Sequence, residues 1–195
     1  MKKKLNRLFP KIVGVYTFEN HNYFENDLVS RCNKIQQEGT GVGGENWISQ
    51  SVYNTENTYN LNKDENFDPI TDFIRNCAID YCRELNYSGT LNHTNTFFNI
   101  YNKYDYQDWH DHPGTHLSGV YCLSGEKGSA DIHFTDFNNK LNINVKEFTT
   151  DNSTTWKEEF IPGKFLIFKS DLLHCVNRHD LDSKRYSLAT NFNIQ

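Results

Sequence analysis

The spacing of apolar residues predicts two helices in the first half of the chain. Over residues 68–86, apolar side chains recur every three or four positions, which is the period of a helix with one buried face. Asp68 is the expected N-cap, and Pro69 then occupies the first helical position. A second, weaker apolar stripe predicts a helix over residues 25–37.

From about residue 95 the pattern changes to short runs of β-branched and aromatic residues separated by turn residues. We predict strands over residues 95–103, 107–112, 117–123, 130–136, 141–149, 155–161, 164–170 and 184–194. Strands that follow helices without repeating strand-helix units favour an antiparallel barrel or a double-sheet jelly roll. No linker or repeat divides the chain, so we expect one domain over residues 1–195, with helical support over roughly 22–88 and a β core over roughly 95–195.

The charge and cysteine content of the chain argue against several classes of protein. A net charge of -5, with both signs scattered along 195 residues, argues against general nucleic-acid binding. The five cysteines are an odd number without a CxxC pair, and the N-terminal residues include no apolar stretch of signal-peptide or membrane-span length. We therefore expect a reduced, cytoplasmic setting without membrane association. No pattern in the sequence indicates an oligomeric state.

The densest candidate chemistry lies in the stretch DWHDHPGTHLSGVY, at the end of a predicted strand. Side chains two apart on a strand share a face, so His110 and His112 can bind one metal ion while Asp111 points away. The same HxH pair is compatible with two ordinary hydrogen-bonded histidines. His116 is a candidate for a fourth ligand, for a residue that orders the other ligands, or for a solvated turn residue.

A third candidate ligand comes from the stretch FIPGKFLIFKSDLLHCVN. Its Pro162-Gly163 pair predicts a turn, the apolar run after it predicts a buried strand, and His174 stands beyond the end of that strand. Together with His110 and His112, His174 would cover one face of a metal ion and leave other positions open. Open coordination positions are typical of a catalytic metal.

The last predicted strand, KRYSLATNFNI, alternates strictly between two faces. Arg185 and Ser187 share one face, where a planar guanidinium and a hydroxyl can hold a carboxylate together. A structural ion pair on the sheet is the alternative interpretation of Arg185.

The order of these motifs resembles the 2-oxoglutarate/Fe(II) oxygenases, with HxH first, then PG with an apolar strand and a histidine, then RxS. The stretches HDHPGTHLSGVY and KRYSLATNFN are particularly similar to a bacterial and phage-associated subfamily. The resemblance is strongest over residues 95–195, and LFP near the start and NWISQ around Trp47 resemble the subfamily more loosely. It implies a double-stranded β-helix, in the cytoplasm of a bacterial cell or a phage-infected host.

The resemblance also implies a metal site. His110 and His174 match the family's histidine ligands of Fe(II), and His112 stands where the family usually has a carboxylate. A site of three histidines has one negative charge fewer than the usual ligand set. His110, His112, His174 and Arg185 are the residues to which the resemblance assigns catalysis.

A cosubstrate site is implied in the same way. Arg185 and Ser187 match the residues that hold the distal carboxylate of 2-oxoglutarate, and Asn99 and Tyr101 are candidates to line the cosubstrate pocket. The implied activity is that of a dioxygenase that uses Fe(II), 2-oxoglutarate and O2, releases succinate and CO2, and hydroxylates its substrate. The acidic net charge and the lack of a basic stripe favour a small molecule or a protein side chain as that substrate.

Three alternatives remain at the level of sequence. A cupin-type metalloenzyme would explain the HxH motif with a further histidine, but it leaves Arg185 without a role. A three-histidine zinc site that activates water would use the same ligands. A β-barrel binding module that has lost its catalytic activity would keep the fold alone.

Overall fold

Two antiparallel sheets and two helices make up the described part of the protein. The computed structural model describes residues 3–4, 10–39, 42–43, 48–49, 51–136 and 144–195. Helix α1 spans Glu25–Gln37 and α2 spans Asp68–Glu84, with short 3-10 helices at His21–Tyr23, Leu61–Lys63 and Glu65–Phe67. The strands are β1 (Val13–Thr17), β2 (Val42–Gly43), β3 (Tyr53–Asn54), β4 (Leu91–Tyr101), β5 (Gln107–His110), β6 (Leu117–Ser124), β7 (Ile132–Thr135), β8 (Thr155–Glu158), β9 (Lys164–Lys169), β10 (His174–Val176) and β11 (Arg185–Ile194).

The strand order is that of a jelly roll. One sheet has the order β1-β9-β6-β11-β4-β3-β2, and the other has the order β5-β10-β7-β8. Neighbouring strands are antiparallel in both. The mainly β architecture with N-terminal helices predicted from the sequence is confirmed.

Strand β9 shows why the larger sheet is buried on both faces. Phe165 and Ile167 pack into the core beneath the helices. Leu166 and Phe168 point the other way and pack with residues of β7, including Phe134, in the smaller sheet. A strand that is covered on both sides has no solvent-facing positions, and this explains the continuous apolar run in its sequence.

The two predicted helices cover the outer face of the larger sheet. Leu28, Cys32 and Ile35 of α1 are buried, as are Ile70 and Ile74 of α2. Each large aliphatic side chain buried in this way contributes about 1.5–3 kcal/mol. The helices therefore hold the sheet that carries β11 and β4.

Helix α2 differs from the expectation in its first residue. Asp68 is already helical and Phe67 is the N-cap, without a capping side chain. The 3-10 helix Glu65–Phe67 continues directly into α2, so the chain turns before Asp68 is reached. Asp68 instead lies in the first turn, where its negative carboxylate interacts favourably with the positive end of the helix dipole.

The N-terminal part also contributes strands that the sequence pattern does not predict. β1 pairs with β9 at the edge of the larger sheet, and β3 pairs with β4. β1 is largely half-exposed, which weakens its apolar signal, and β2 and β3 have two residues each. Of the strand predicted over 141–149, residues 144–149 are not in a strand, while 141–143 lie outside the described residues. Trp47 and most of the LFP segment also lie outside them.

No helix in the described part of the chain is long and apolar enough to cross a membrane. All five cysteines are free thiols, four of them buried. Burial raises the pKa of the Cys122 and Cys175 thiols to about 11, although the cation of Arg185 opposes this at Cys122. Thiols with such pKa values remain protonated near neutral pH and pack as small apolar groups.

Candidate metal centre and cosubstrate pocket

Strand pairing brings the histidines of two distant segments together. β5 and β10 are antiparallel neighbours in the smaller sheet, and His110 is the direct partner of His174. β5 ends at His110, so His112 lies two residues beyond the strand and not within it. A backbone hydrogen bond of 3.0 Å from His112 N–H to Ser170 C=O holds it beside the same site.

His110, His112 and His174 form a close cluster. Each offers a ring nitrogen, and the three nitrogens lie within 4.8 Å of one another. The Nε2 atoms of His112 and His174 are 3.3 Å apart, and the ring centroids of His110 and His174 are 4.1 Å apart. Three ring nitrogens this close to one another could serve as ligands of one metal ion.

Backbone carbonyls determine the tautomer of two of these rings. His110 Nδ1 lies 2.7 Å from Asp108 C=O, and His174 Nδ1 lies 2.9 Å from Leu172 C=O. A carbonyl oxygen only accepts, so each Nδ1 donates its hydrogen. The Nε2 lone pairs of His110 and His174 are therefore the ones available to a metal.

Burial keeps the cluster neutral. It lowers the pKa of His112 to about 4, with a further decrease from His110, while Asp111 and a hydrogen bond with Asn191 act in the opposite direction. It also lowers the pKa of His174 well below its usual value, and that of His110 to a smaller extent. Neutral imidazole is the metal-binding form, so the donor set fits Fe(II) and similar divalent metals.

Arg185, on β11 of the larger sheet, is fully buried. Its Nε donates to Ala130 C=O at 3.1 Å, and its Nη1 donates to Ser187 Oγ at 3.1 Å. The guanidinium lies over the rings of Tyr101 and Phe160, 4.7 and 4.3 Å from their centroids. The charged group is thus held in one orientation between two aromatic side chains.

One side of this guanidinium is left for an anion. Nη2 has no hydrogen-bond partner among the described residues, although the Tyr101 hydroxyl lies beside the group. No carboxylate of the described residues forms a salt bridge with Arg185. A buried, unpaired cation is costly, so the site fits a ligand carboxylate that supplies the missing charge.

The pairing of β11 with β4 puts the predicted cosubstrate residues side by side. Arg185 is opposite Tyr101, and Ser187 is opposite Asn99. Asn99 is buried and its Oδ1 has no partner among the described residues. The register of the two strands thus makes the four residues neighbours, while their role toward a cosubstrate stays a prediction.

A cavity of about 630 Å³ joins the three-histidine cluster to these polar residues. Its walls include the three histidines together with Asn99, Tyr101 and Ser187. Arg185 itself does not line the cavity but contacts Tyr101 and Ser187, which do.

His116 is not part of the cluster. It is exposed, and its Nδ1 accepts the backbone N–H of Ile194 at 3.0 Å. Of the alternatives for this residue, the fourth-ligand interpretation receives no support from the cluster formed by the described residues. His116 instead ties the loop after β5 to the end of β11.

The cavity also has walls that the sequence does not point to. Ile48 and Glu56, from the segment before α2, line it together with Asn95 and Asn191 from the larger sheet. The loose resemblance at NWISQ assigns no role to Ile48, and no pattern around Glu56 indicates a site, because only the tertiary fold brings both residues to the cavity. Trp109 of β5 also lines the cavity.

The comparison with protein families matches this half of the chain. The model of a family described as 2OG-Fe(II) oxygenase covers residues 95–191, which include all three histidines and Arg185. The chain belongs to the 2-oxoglutarate/Fe(II) oxygenases. No curated protein sequence matches this oxygenase.

Solved structures of low sequence identity share the fold of this oxygenase. A prolyl-4-hydroxylase from Pseudomonas putida is 14% identical over 95% of this chain and 94% of its own, with a TM-score of 0.68. A Trichoplax adhaerens prolyl hydroxylase, in complex with a peptide fragment of the hypoxia inducible factor oxygen degradation domain, is 14% identical over 93% and 83%, with a TM-score of 0.64. HygX from Streptomyces hygroscopicus, with nickel and 2-oxoglutarate bound, is 11% identical over 95% and 84%, with a TM-score of 0.62.

These findings decide between the alternatives left open by the sequence. The double-stranded β-helix and the Fe(II)- and 2-oxoglutarate-dependent oxidoreductase activity implied by the resemblance are confirmed at the level of the family. The cupin, zinc and inactive binding-module alternatives lose their support. Residue roles and the substrate are a separate question.

Proposed function

We propose that the protein is a hydroxylase in which His110, His112 and His174 bind Fe(II), while Arg185 and Ser187 hold the distal carboxylate of 2-oxoglutarate. The observation that carries this proposal is that the buried Nη2 of Arg185 has no hydrogen-bond partner among the described residues, while three histidines converge elsewhere in the site. One cavity connects Ser187 to the histidine cluster. Arg185 reaches the cavity through this residue, because its Nη1 donates to Ser187 Oγ at 3.1 Å.

Each residue then has a distinct task. The neutral histidines offer lone pairs without a proton to lose. Arg185 meets the cosubstrate already oriented by Ala130 and by two aromatic rings, so little reorganisation is needed on binding. Asn99 and Tyr101 line the cosubstrate part of the cavity.

Fe(II) and 2-oxoglutarate, when bound, supply the oxidising chemistry: with O2 they yield succinate and CO2 and transfer one oxygen atom to a substrate C–H bond. The protein contributes position and exclusion of water. Phe168 and Ile132 form part of the cavity wall and are almost completely buried. An apolar wall of this kind keeps the reacting groups away from bulk solvent.

The ligand set has a consequence for charge. Three imidazoles leave both positive charges of the metal uncompensated by the protein, whereas a ligand set with one carboxylate would leave one. The site therefore depends more strongly on the negative charge of its cosubstrate. We expect cosubstrate and metal to bind with strong positive coupling.

The substrate we propose is a small molecule or a protein side chain without negative charge. The charged residues that line the cavity, Glu56, Asp108 and Asp111, are all acidic and exposed. An acidic wall repels polyanions, which argues against nucleic acid. The prolyl hydroxylases of similar fold support a peptide side chain as one candidate. The five free thiols support a reduced, cytoplasmic setting. We also propose that residues 1–195 form one domain.

The proposal is tested by binding and turnover together. Purified protein is titrated with Fe(II) under anaerobic conditions and then with 2-oxoglutarate, and succinate release is measured after addition of O2. His174→Ala should abolish metal binding, and Arg185→Ala should abolish 2-oxoglutarate binding while leaving the metal bound.

Two residues outside the site provide matched controls. His133→Ala removes a histidine of β7 that is outside the cluster, and Arg178→Ala removes an exposed arginine paired with Asp180. Both should behave like the unmodified protein. Succinate release that survives in His174→Ala or Arg185→Ala would exclude the role assigned to that residue.

A further inference from the structure

Ser170 connects the two chain segments that carry the proposed histidine ligands. It directly follows β9 and precedes the segment that leads to His174. Its C=O accepts the N–H of His112 at 3.0 Å, and its own N–H donates to His116 C=O at 3.0 Å. The turn that begins at His112 is therefore attached to the segment that leads to His174.

Side-chain hydroxyls extend this connection. Thr115 Oγ1 lies within donating distance of two acceptors, the C=O of His112 at 3.1 Å and Oγ of Ser170 at 2.9 Å. Ser170 Oγ also lies 2.8 Å from Ser118 Oγ. The two serines are almost completely buried, so water has little access to their hydroxyls and these bonds are costly to lose.

His112 depends on these bonds more than the other two candidate ligands do. His110 ends β5 and His174 begins β10, so the pairing of the two strands fixes both backbones. His112 lies outside the strands, directly before Pro113 and Gly114. A ligand in such a turn keeps a fixed position only if contacts from elsewhere hold its backbone.

We propose that Thr115 and Ser170 are positioning residues of the metal site: their hydroxyls hold the backbone of His112 so that its ring meets those of His110 and His174. The proposal rests on the three-histidine site proposed above. Because these bonds order the turn before a metal binds, the metal does not have to order it. The loss of such supporting partners typically lowers metal affinity by about 10–100-fold.

Thr115 offers a matched pair of variants. Thr115→Val keeps the shape of the side chain and removes the hydroxyl, whereas Thr115→Ser keeps the hydroxyl and removes the methyl group. Thr115 is only half-buried, so both variants should fold. Ser170→Ala removes the second hydroxyl and leaves the two backbone bonds of this residue in place.

Thr58→Val is the control for the loss of a threonine hydroxyl. Thr58 Oγ1 donates to Thr55 C=O at 3.4 Å, so it reaches a carbonyl three residues earlier, as Thr115 does with His112. Thr58 does not line the cavity that contains the three histidines. The control therefore removes the same kind of bond away from the site.

The first experiment needs no metal and measures hydrogen exchange by NMR. The N–H of His112 should exchange at least about fivefold faster in Thr115→Val and Ser170→Ala than in the unmodified protein. It should keep the unmodified rate in Thr115→Ser and Thr58→Val. The N–H of Leu188, in the centre of the larger sheet, reports any change in global stability. Equal protection of His112 in all variants would overturn the proposal.

The second experiment titrates Co(II), a spectroscopic substitute for Fe(II), and records its visible absorption. Thr115→Val should bind Co(II) about tenfold more weakly and with an altered spectrum, because His112 no longer meets the metal in one fixed position. Thr115→Ser should restore affinity and spectrum, and Thr58→Val should keep both. A loss of stability alone would not change the spectrum of the folded, Co(II)-bound protein.

The outcomes distinguish this proposal from the one on which it rests. Failure of the unmodified protein to bind Co(II) would remove the metal site itself. Normal binding by the unmodified protein, with equal affinity and an equal spectrum in Thr115→Val and Ser170→Ala, would remove only the positioning role. Should Ser170→Ala not fold, Thr115→Val and Thr115→Ser decide alone.

Discussion

His110 and His174 are direct partners in the pairing of β5 with β10, and their rings lie 4.1 Å apart between centroids. The pairing places the three-histidine cluster at the edge strand of the smaller sheet. β5 is the edge strand of that sheet, and all three histidines line the cavity. A metal bound there would have protein on one side and space for ligands on the other.

Removal of His112 tests the residue that stands in place of a carboxylate. His112→Ala should lower Fe(II) affinity by at least about tenfold, because one of three lone pairs is lost. Anaerobic titration measures this directly. His116→Ala, four residues away and exposed, should keep full affinity. Full retention of iron by His112→Ala would exclude it as a ligand.

Arg185 offers a test that separates stability from cosubstrate binding. Arg185→Met removes a buried, unpaired charge, so the protein should still fold with a similar Tm. The loss of charged hydrogen bonds, about 1.5–3 kcal/mol, should weaken 2-oxoglutarate binding by about tenfold or more. Calorimetry measures the affinity, and thermal unfolding shows whether 2-oxoglutarate raises Tm.

The control for this variant is Arg178→Met, at an exposed position. 2-Oxoglutarate should raise the Tm of the unmodified protein and of the control, but not that of Arg185→Met. An equal rise in all three proteins would show that the ligand is held elsewhere.

His93 makes stability depend on pH at a distance from the metal cluster. Its Nε2 bonds with Thr96 and Thr190, and its ring stacks on Phe192 at 4.4 Å. Burial, with a smaller effect of Arg75, lowers its pKa to about 4. The unfolded chain binds a proton below its ordinary pKa of about 6.5, whereas the folded protein does so only near 4.

Above about pH 6.5 the His93 ring is neutral in both states and does not lower the free energy of unfolding. As the pH falls from 6.5 toward 4, the unfolded chain takes up the proton first, so the free energy of unfolding decreases. We expect a loss on the order of 2 kcal/mol. Urea unfolding at pH 7 and pH 4.5 measures it, and His93→Gln should show a smaller difference between the two. The same difference in both proteins would assign the effect to other groups.

Gly119 tests the packing of the sheet behind the cavity. A Cβ added there would lie 2.6 Å from a ring carbon of Phe165 and 2.7 Å from Leu166 C=O. Because a backbone oxygen cannot move easily, Gly119→Ala should destabilise the protein by about 2–3 kcal/mol in urea unfolding.

The comparison for this variant is Gly114→Ala, in the turn after the HxH motif. Nothing lies within 4 Å of its added Cβ, but its φ of +87° is unfavourable for alanine. A cost of about 1 kcal/mol is expected from this backbone conformation alone. If Gly119→Ala costs no more than this, the close contact at Gly119 relaxes without strain.

The elements that the sequence predicts well are those with a strong local pattern. Helix α1 matches residues 25–37, and the strict alternation of the last strand places Tyr186, Leu188 and Phe192 in the core. The turns at Gly114 and Gly163 have the positive φ that glycine permits. In each case the deciding information lies within a few neighbouring residues.

Short and half-exposed elements are predicted poorly. β10 has three residues and was not predicted, yet it carries His174. Three residues are too few for a periodic pattern, so the strand exists only through its pairing with β5 and β7. The sequence predicts that His174 follows a buried strand, but it does not predict which strand pairs with the segment that carries His174.

The sequence by itself determined the types of residue at the site, namely an HxH pair, a third histidine and an arginine with serine on one face of a strand, because these depend on local spacing. The tertiary structure alone decided that His174 lies opposite His110 and that Nη2 of Arg185 is buried with no hydrogen-bond partner among the described residues. Each of these depends on the register between strands far apart in the chain. Register is set by packing and pairing over the whole fold, which no local pattern encodes.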